Sequence, residues 1–351
     1  MKPSAQMIDA LLEQARGSPL AMFRLAPLMR RTGQEARAVK LCGDILADAA
    51  TDAGLAAEVR RFLGDGVPAW HFTIVRDEVR NAAYDAALRR LMRPGMRVLE
   101  IGTGTGILAM MAARAGAAEV VTCEMNPAIA EAARDVIARN GYADRVRVIT
   151  GHSETLDLER DLGGRRADLL VSEIVSNDLI GEIVLPAHEH AAQQLLVPGA
   201  PVIPARGRIR VALAEDRREG SQAMGEIDGF DLSPFNRLTP VSRPVPRGAK
   251  RLELRSEAAD LFEFDFSGAP CAPAEAVVTC QSSGGRVNGI VQWIALDMDG
   301  VTDYENRPGP GAFSCWSPLH YPFPEPIETV AGQEMRIHGA HDRTNLTIRL
   351  D

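Results

Sequence analysis

The chain has 351 residues, of which 46% are hydrophobic and 25% are charged, and its net charge is −8. This composition is ordinary for a soluble globular protein, and the length allows two domains. The excess of negative charge disfavours non-specific binding to nucleic acid or to an anionic membrane. It favours a cationic partner.

The sequence also indicates the cellular compartment and whether a metal site is expected. The five cysteines include no Cys-x-x-Cys pair and are odd in number, which predicts reduced thiols and a cytoplasmic location. The N-terminus lacks the basic flank and apolar core of a secretory signal, and no apolar run is long enough to predict a membrane span. No zinc-ligand spacing is present, so we expect no metal site.

The first segment, residues 1–66, is predicted to be a helical extension. Apolar residues recur at helical spacing within 5–63, for example at Met7, Leu11 and Leu12, and predict two or three amphipathic helices. A packing extension that covers the following domain is preferred over a separate binding module.

Residues 67–200 are predicted to form an α/β domain. A helix over 71–92 ends before Pro94-Gly95, and apolar strands then alternate with helices. This alternation is typical of a parallel sheet with crossover helices, in which ligands bind beyond the carboxyl ends of the strands. The predicted strands are 97–101, 119–123, 145–150 and 167–172, and the predicted helices are 107–115, 127–140 and 178–195.

Residues 201–351 are predicted to form a β-barrel or sandwich, with a first strand at 207–214. Proline becomes frequent near residue 200, and later segments alternate apolar and polar residues as antiparallel strands do. Residues 216–246 are rich in turns and predict an excursion from this domain.

A glycine-rich turn follows the first strand of the α/β domain. Gly102, Gly104 and Gly106 let a ligand approach the backbone closely, as in sites for a dinucleotide or S-adenosylmethionine. Glu124 lies about 20 residues on, where an acidic residue that binds ribose hydroxyls is expected. The spacing is not G-x-G-x-x-G, and no P-loop Lys-Ser/Thr pair follows. A turn without a ligand is the alternative.

Two glutamates in VSEIVSNDLIGE, Glu173 and Glu182, follow the fourth strand of this domain. A carboxylate accepts a planar guanidinium through two hydrogen bonds, so two carboxylates can hold both of its edges. A cofactor turn followed by paired carboxylates suits an enzyme that binds a cationic substrate. Alternatively, Glu173 is merely solvated and Glu182 stabilises a helix N-terminus.

The segments VLEIGTGTG, CEMNP, the double-glutamate run with LIGEIVLPAHEHA, and HFTIVRDEVRNAAY resemble the protein arginine N-methyltransferases. The monomethylating branch is the nearest match, and the chain resembles a bacterial-type homologue. The resemblance covers residues 67–351 and is more specific in the first half. It implies an S-adenosylmethionine-dependent, Rossmann-like α/β domain followed by an antiparallel β-barrel, and a homodimer that contacts its partner through 216–246.

The resemblance also implies roles for residues that bind S-adenosyl-L-methionine. Arg80 matches the arginine that binds the methionine carboxylate, although a surface ion pair is the alternative. Glu124 is implied to bind the ribose hydroxyls. Ser153 and Glu154 match positions near the adenine amino group.

On the acceptor side, Glu173 and Glu182 are implied to grip the guanidinium. His320, in Leu319-His320-Tyr321, is matched to the family's Thr-His-Trp loop, and Asp77 to the aspartate that pairs with that histidine. Both are therefore expected at the catalytic site. The substrate-binding positions implied by the resemblance are His71, Ile74 and Tyr321.

One departure from the family affects the expected substrate. The family's pair of tyrosines before Arg80 is missing, so the lid over the cofactor must be built differently, for instance by the N-terminal extension. The expected acceptor is arginine in a protein or peptide, and free L-arginine or another small guanidine is the alternative. A catalytically silent binding scaffold is a further alternative, disfavoured by the intact glutamates.

Overall fold

The computed structural model describes residues 4–218, 224–248, 250–310 and 313–351. Contacts between residues divide the chain into two units. The first unit contains the described residues up to Val75 and Met92–Ala167, and the second contains Arg76–Leu91 and the described part of Asp168–Asp351. Within these residues, no helix combines the length and the apolar character needed to cross a membrane.

The N-terminal extension contains five helices rather than two or three. Ser18 and Asp52 cap helices by accepting hydrogen bonds from backbone N–H groups, and Pro19 follows the first of these caps. These caps divide the apolar pattern into shorter helices around a buried core that includes Ile8 and Ile45. The helices are α1 (Ala5–Gln14), α2 (Pro19–Phe23), α3 (Ala26–Arg31), α4 (Glu35–Ala47) and α5 (Ala53–Gly64).

The helix expected over 71–92 is two helices, α6 (His71–Ile74) in the first unit and α7 (Glu78–Leu91) in the second. The prediction of one continuous helix was wrong because Asp77 acts as a cap. Its Oδ1 accepts a hydrogen bond from the backbone N–H of Arg80 at 2.9 Å.

The first unit contains three parallel strands, β1 (Arg97–Ile101), β2 (Glu119–Glu124) and β3 (Val146–Thr150), with β2 paired to both others. All three lie within one residue of their predicted bounds, and β1 is buried along its length, as apolar parallel strands require. The residues predicted to bind the cofactor lie in or next to the turns at the carboxyl ends of these strands. The helices that follow the strands are α8 (Ile107–Ala115), α9 (Pro127–Arg139) and α10 (Leu158–Leu162).

The second unit contains a parallel pair, β4 (Leu169–Ser172) and β5 (Val202–Ile203), and the helix α11 (Val184–His190). This helix was predicted to begin at residue 178 but begins six residues later, and its last turn, Ala191–Leu195, is π-helical. The delay follows from a loop in which Leu179 (φ 75°) and Ile183 (φ 57°) have left-handed backbones, which interrupt a helix.

The rest of the second unit is a curled antiparallel sheet. β6 (Arg206–Asp216) begins it, and a separate hairpin of β7 (Glu226–Ile227) and β8 (Phe230–Asp231) follows within the predicted excursion. The remaining strands are β9 (Arg243–Pro244), β10 (Leu252–Leu254), β11 (Ala259–Asp265), β12 (Ala274–Asp297), β13 (Asp303–Glu305), β14 (Leu319–His341) and β15 (Leu346–Leu350). The long strand β12 is central, because it pairs with β6, β13 and β14.

Candidate active site

The glycine turn of the first unit joins β1 to α8. Gly102, Gly104 and Gly106 all have positive φ angles, which non-glycine residues adopt at a cost. At Gly106 a Cβ atom would lie 2.9 Å from the Ile137 side chain on α9, so this position also requires glycine for packing. The turn is therefore fixed by backbone conformation and by contact with the next helix.

Glu124 ends β2 and is hydrogen-bonded to that turn. Its Oε2 accepts a hydrogen bond from the Gly104 N–H at 3.1 Å, and its Oε1 accepts one from the Asn126 N–H at 2.9 Å. The carboxylate is buried and held at the carboxyl edge of the strands. The structure thus brings together the glycine turn and the acidic residue that the sequence analysis linked.

Ser153 and Glu154 lie in a short 3-10 helix, Ser153–Thr155, after β3. Ser153 is buried, whereas Glu154 is exposed and its carboxylate lies 3.6 Å from Nδ1 of His152. The backbone N–H of Gly151 donates to the Glu124 carbonyl at 2.8 Å, which joins this turn to the end of β2. Three strand ends therefore contribute to one edge of the first unit.

His71 and Ile74 lie on α6 in the first unit. The His71 ring stacks on Trp70 with centroids 3.7 Å apart, and its Nδ1 lies 3.0 Å from the Pro68 carbonyl oxygen. Ile74 is half-buried. These contacts account for the orientation of the His71 ring, and the predicted roles of both residues in substrate binding stay predictions.

In the second unit, Arg80 and Glu173 form a buried ion pair. Arg80 Nη1 lies 3.6 Å from Glu173 Oε2, and the two side chains are only 2% and 10% exposed. Burial, opposed by the charge of Arg80 and reinforced by Glu182 and Asp77, raises the pKa of Glu173 to about 8. Glu173 is therefore a strongly perturbed carboxyl group, as is common at catalytic sites.

The segment from Glu173 to Glu182, here called the double-glutamate loop, is cross-linked internally. The Gly181 N–H donates to Ser176 Oγ at 2.7 Å and to Asp178 Oδ1 at 3.0 Å. Burial, followed by the charge of Asp178, raises the pKa of Glu182. Glu182 directly precedes Ile183, the N-cap residue of α11, so the alternative that it stabilises a helix N-terminus stays open beside its predicted role.

The predicted pair of Asp77 and His320 does not form. His320 is fully buried on β14, and its Nδ1 lies 4.0 Å from Asp216 Oδ2. Its ring nitrogens make no hydrogen bond to any residue that the structure describes, and burial lowers its pKa to about 4. The register of β14, which pairs His320 with Val291 of β12 and Arg243 of β9, explains this position.

Asp77 instead contacts the segment Ser314-Cys315-Trp316, here called the Ser-Cys-Trp loop. Asp77 Oδ2 accepts hydrogen bonds from the Tyr304 hydroxyl at 2.7 Å and from the Cys315 N–H at 3.0 Å. This loop, rather than Leu319-His320-Tyr321, occupies the place expected of the family's Thr-His-Trp loop beside Asp77. The match of His320 to the histidine that pairs with Asp77 is corrected accordingly, and the predicted role of Tyr321 in substrate binding stays a prediction.

The Ser-Cys-Trp loop also contacts the double-glutamate loop near Glu173. The Trp316 indole N–H donates to the Val175 carbonyl in the double-glutamate loop at 2.7 Å. Burial and the charge of Glu173 raise the pKa of the Cys315 thiol, which also hydrogen-bonds with Arg80. Sequence reasoning missed Cys315, although the tryptophan that follows it was a usable signal, because Trp316 preserves the last residue of the family's triplet.

Tyr84, Tyr304 and Tyr321 complete the surroundings of this cluster. The Tyr84 hydroxyl donates to the Ser172 carbonyl at 2.9 Å, which ties α7 to the end of β4. Burial raises the pKa of Tyr321, and the nearby Asp178 raises it further. Tyr321 thus lies close to the double-glutamate loop, although it does not belong to the segment beside Asp77.

The chain is similar in sequence to known methyltransferases. The family model for ribosomal protein L11 methyltransferase (PrmA) matches residues 86–198. Over 332 residues the chain is 37% identical to an arginine N(omega)-methyltransferase of Streptomyces achromogenes subsp. streptozoticus, an alignment that covers 92% of this chain and 90% of the relative. It is 30% identical to protein arginine N-methyltransferase 7 of Danio rerio, covering 78% of this chain and 44% of that one.

Solved structures show the fold. The PRMT1 enzyme–prozyme heterotetrameric complex of Trypanosoma brucei with AdoHcy aligns with a TM-score of 0.69 at 22% identity, covering 80% of this chain and 92% of that one. Protein arginine methyltransferase 10 of Arabidopsis thaliana aligns with a TM-score of 0.64 at 19% identity, covering 76% and 86%. The predicted Rossmann-like domain followed by a β-barrel is confirmed. With its close relative matched over nearly the whole of both chains, the protein belongs to the arginine N-methyltransferase family.

Proposed function

We propose that the protein transfers a methyl group from S-adenosyl-L-methionine to a terminal guanidino nitrogen of arginine. The observation that carries this proposal is the buried Arg80–Glu173 ion pair, whose glutamate lies in the same loop as the exposed Glu182. Glu173 faces a single arginine but also the negative charges of Glu182 and Asp77, so the site is short of positive charge. A guanidinium would supply that charge and would favour the ionised form of both carboxylates.

The first unit fits the proposed cofactor. The glycine turn has a left-handed backbone without side chains, so a ligand can approach it closely. The Glu124 carboxylate, held by the Gly104 N–H, can accept hydrogen bonds from ribose hydroxyls. Ser153 and Glu154 follow the next strand, where they would meet the adenine amino group. Arg80 is proposed to bind the methionine carboxylate. When bound, the cofactor supplies an electrophilic methyl group on a positively charged sulfur.

The carboxylates have a specific task in this reaction. Both the sulfonium and the acceptor are cations, so fixed negative charge must bring them together and orient one nitrogen. Glu173 and Glu182 would hold the guanidinium edges through charge-assisted hydrogen bonds. The cofactor would supply the methyl group to the guanidino nitrogen, and one carboxylate of the pair would accept the proton that this nitrogen releases.

Two acceptors remain in the proposal, arginine in a protein or peptide and free L-arginine. Free L-arginine is favoured by one observation. The relative that aligns over 92% of this chain is named for arginine, whereas the protein methyltransferase from Danio rerio is matched over only 44% of its length. Incubation with labelled cofactor and either free L-arginine or an arginine-rich peptide tests this choice. Absence of labelled product from both would contradict the proposed function and revive the binding-scaffold alternative.

We further propose a homodimer that uses the excursion between β6 and β10. In its described part, 224–244, several large apolar side chains are exposed, including Phe230 at 70% and Leu238 at 64%. Such a patch marks an interaction surface. Light scattering at micromolar concentration should give twice the mass of the 37.9 kDa chain, and Phe230→Glu should give the single mass. A monomeric wild-type protein would refute this assembly.

The N-terminal helices are proposed to shape the acceptor mouth. Within the first unit, α4 packs against α9, and the Asn126 side-chain N–H donates to the Gly66 carbonyl at 3.2 Å. Asn126 is two residues from Glu124, so the end of the extension reaches the ribose-binding edge. A chain lacking residues 1–63 should lose stability and activity, and unchanged kinetics on free arginine would contradict this role.

A further inference from the structure

A shallow, partly open groove lies in the second unit beside the Ser-Cys-Trp loop. Its walls come from 245–248, 306–309 and 314–318, and its charged lining residues are Arg247 and Arg307. Among the described residues that line it, none carries a carboxylate. The groove lining is therefore positively charged, although the net charge of the chain is −8.

The two arginines are available for a ligand. Within the described ranges, neither the Arg247 nor the Arg307 side chain forms an ion pair or hydrogen bond, whereas Arg210 on β6 pairs with both Asp260 and Glu305. The Arg247 guanidinium carbon lies 4.5 Å from the centroid of the Phe313 ring. Stacking orients one face of a guanidinium and leaves its N–H edge to bind a carboxylate in bidentate fashion.

The walls of the groove are held in place by hydrogen bonds. Asn306 Oδ1 accepts from the Ile294 N–H at 2.8 Å, and its side-chain N–H donates to the Trp316 carbonyl at 3.1 Å. The Val245 N–H donates to the Pro318 carbonyl at 2.8 Å. The groove is therefore formed by connected segments of the fold.

The Ser-Cys-Trp loop links this groove to the buried Glu173. Ser314 and Trp316 line the groove, while Cys315 between them interacts with Arg80 and lies in the field of Glu173. One three-residue loop therefore contacts both the surroundings of Glu173 and the groove that contains Arg247 and Arg307. Charges arranged in this way complement a zwitterionic acceptor with a cation at one end and an anion at the other.

We propose that Arg247 and Arg307 form a subsite that recognises a carboxylate of the acceptor. The inference rests on the proposed methylation of arginine and extends it by naming a second recognised group. The carboxylate belongs to the α-carboxylate of free L-arginine or to an acidic side chain flanking arginine in a peptide. Both sources offer the same planar anion to the guanidinium forks.

The test compares acceptors that differ only in this group. We expect the wild-type protein to have a higher kcat/KM for L-arginine than for L-argininamide or agmatine, which lack a free carboxylate. Arg247→Met and Arg307→Met should each lower kcat/KM for L-arginine about tenfold, as for a lost charge-assisted hydrogen bond, and leave agmatine unchanged. Arg251→Met, an exposed arginine outside the groove, is the matched control.

A second arm distinguishes the source of the carboxylate. Peptides with arginine between aspartates or between glycines are compared as acceptors, and a preference for aspartate that disappears in Arg247→Met identifies a peptide ligand. Equal kcat/KM for L-arginine, L-argininamide and agmatine, without an aspartate preference, would overturn the subsite. So would an equal loss on all acceptors in Arg247→Met.

Binding separates failure of the subsite from failure of the proposed function. Calorimetry with L-arginine and agmatine, in the presence of S-adenosylhomocysteine, measures recognition without turnover. Preferential binding of L-arginine that Arg247→Met abolishes would support the subsite even in a protein without methyltransferase activity. Absence of that preference, in a protein that turns over agmatine and L-arginine equally, would refute the subsite and leave the methyltransferase assignment standing.

Discussion

Glu124, proposed to bind the cofactor, and Glu173, proposed to hold the guanidinium, are fixed by different kinds of contact. In the first unit, Glu124 is held by backbone N–H groups of Gly104 and Asn126, all within about 25 residues of one another in sequence. In the second unit, Asp77 and Glu173 meet the Ser-Cys-Trp loop through contacts that span far longer stretches of sequence. The contacts that hold Glu124 are therefore local in sequence. Those around Asp77 and Glu173 form only when distant segments fold together.

This difference predicts how each region responds to substitution. A carboxylate held by backbone groups can be removed while the turn keeps its shape, since the glycines set their own backbone angles. A buried cluster of charges is interdependent, because each charge raises or lowers the pKa of its neighbours. We therefore expect separable losses of cofactor affinity in the first unit and coupled losses in the second.

The largest effect is expected for Glu173→Gln. The substitution keeps the shape but removes the charge that faces the guanidinium, so turnover should fall at least ~100-fold, the scale of a lost transition-state contact. Affinity for S-adenosylhomocysteine should remain close to wild type. Glu182→Gln should behave similarly, and Glu325→Gln, at an exposed glutamate, is the control. Near-full turnover in Glu182→Gln would remove that residue from the acceptor site.

Glu124→Ala should weaken cofactor binding by roughly 1.5–3 kcal/mol, because charge-assisted hydrogen bonds to two hydroxyls are lost. Calorimetry with S-adenosylhomocysteine measures this change directly. Glu154→Ala should give a smaller loss of cofactor affinity, because Glu154 is exposed in the short 3-10 helix after β3. Unchanged affinity in Glu124→Ala would exclude the ribose role.

The same contrast explains what could be predicted from the sequence. The strands and the glycine turn of the first unit follow from local patterns, and β1 to β3 lie within one residue of expectation. His320 was misplaced because a short resemblance cannot fix the register of β14, which pairing with β12 determines. Cys315 was missed because its link to Asp77 joins residues 238 apart in sequence.

The pH dependence of activity tests the coupled cluster. The pKa of Glu173 is raised to about 8, so the carboxyl group is mainly protonated below that pH and charged above it. A guanidinium pairs with the charged form, and kcat/KM should therefore rise about tenfold per pH unit towards pH 8 and level off above it. In the Glu173→Gln variant, this rise of kcat/KM with pH should disappear. A flat wild-type profile between pH 6 and 9 would contradict this assignment.

The smallest effect is expected for Tyr304→Phe. The Tyr304 hydroxyl donates to buried Asp77 and lies 2.7 Å from Ser314 Oγ, so its loss removes one donor from Asp77 while the Cys315 and Arg80 N–H groups remain. Leaving a buried polar group partly unsatisfied costs about 1–3 kcal/mol, which chemical denaturation can measure. Turnover should fall more than cofactor affinity, because Asp77 supports the acceptor side. Tyr142→Phe removes a hydroxyl in the first unit and controls for the substitution itself. A Tyr304→Phe protein that loses cofactor affinity and keeps its turnover would contradict the distinction between the local contacts of Glu124 and the long-range contacts of Asp77 and Glu173.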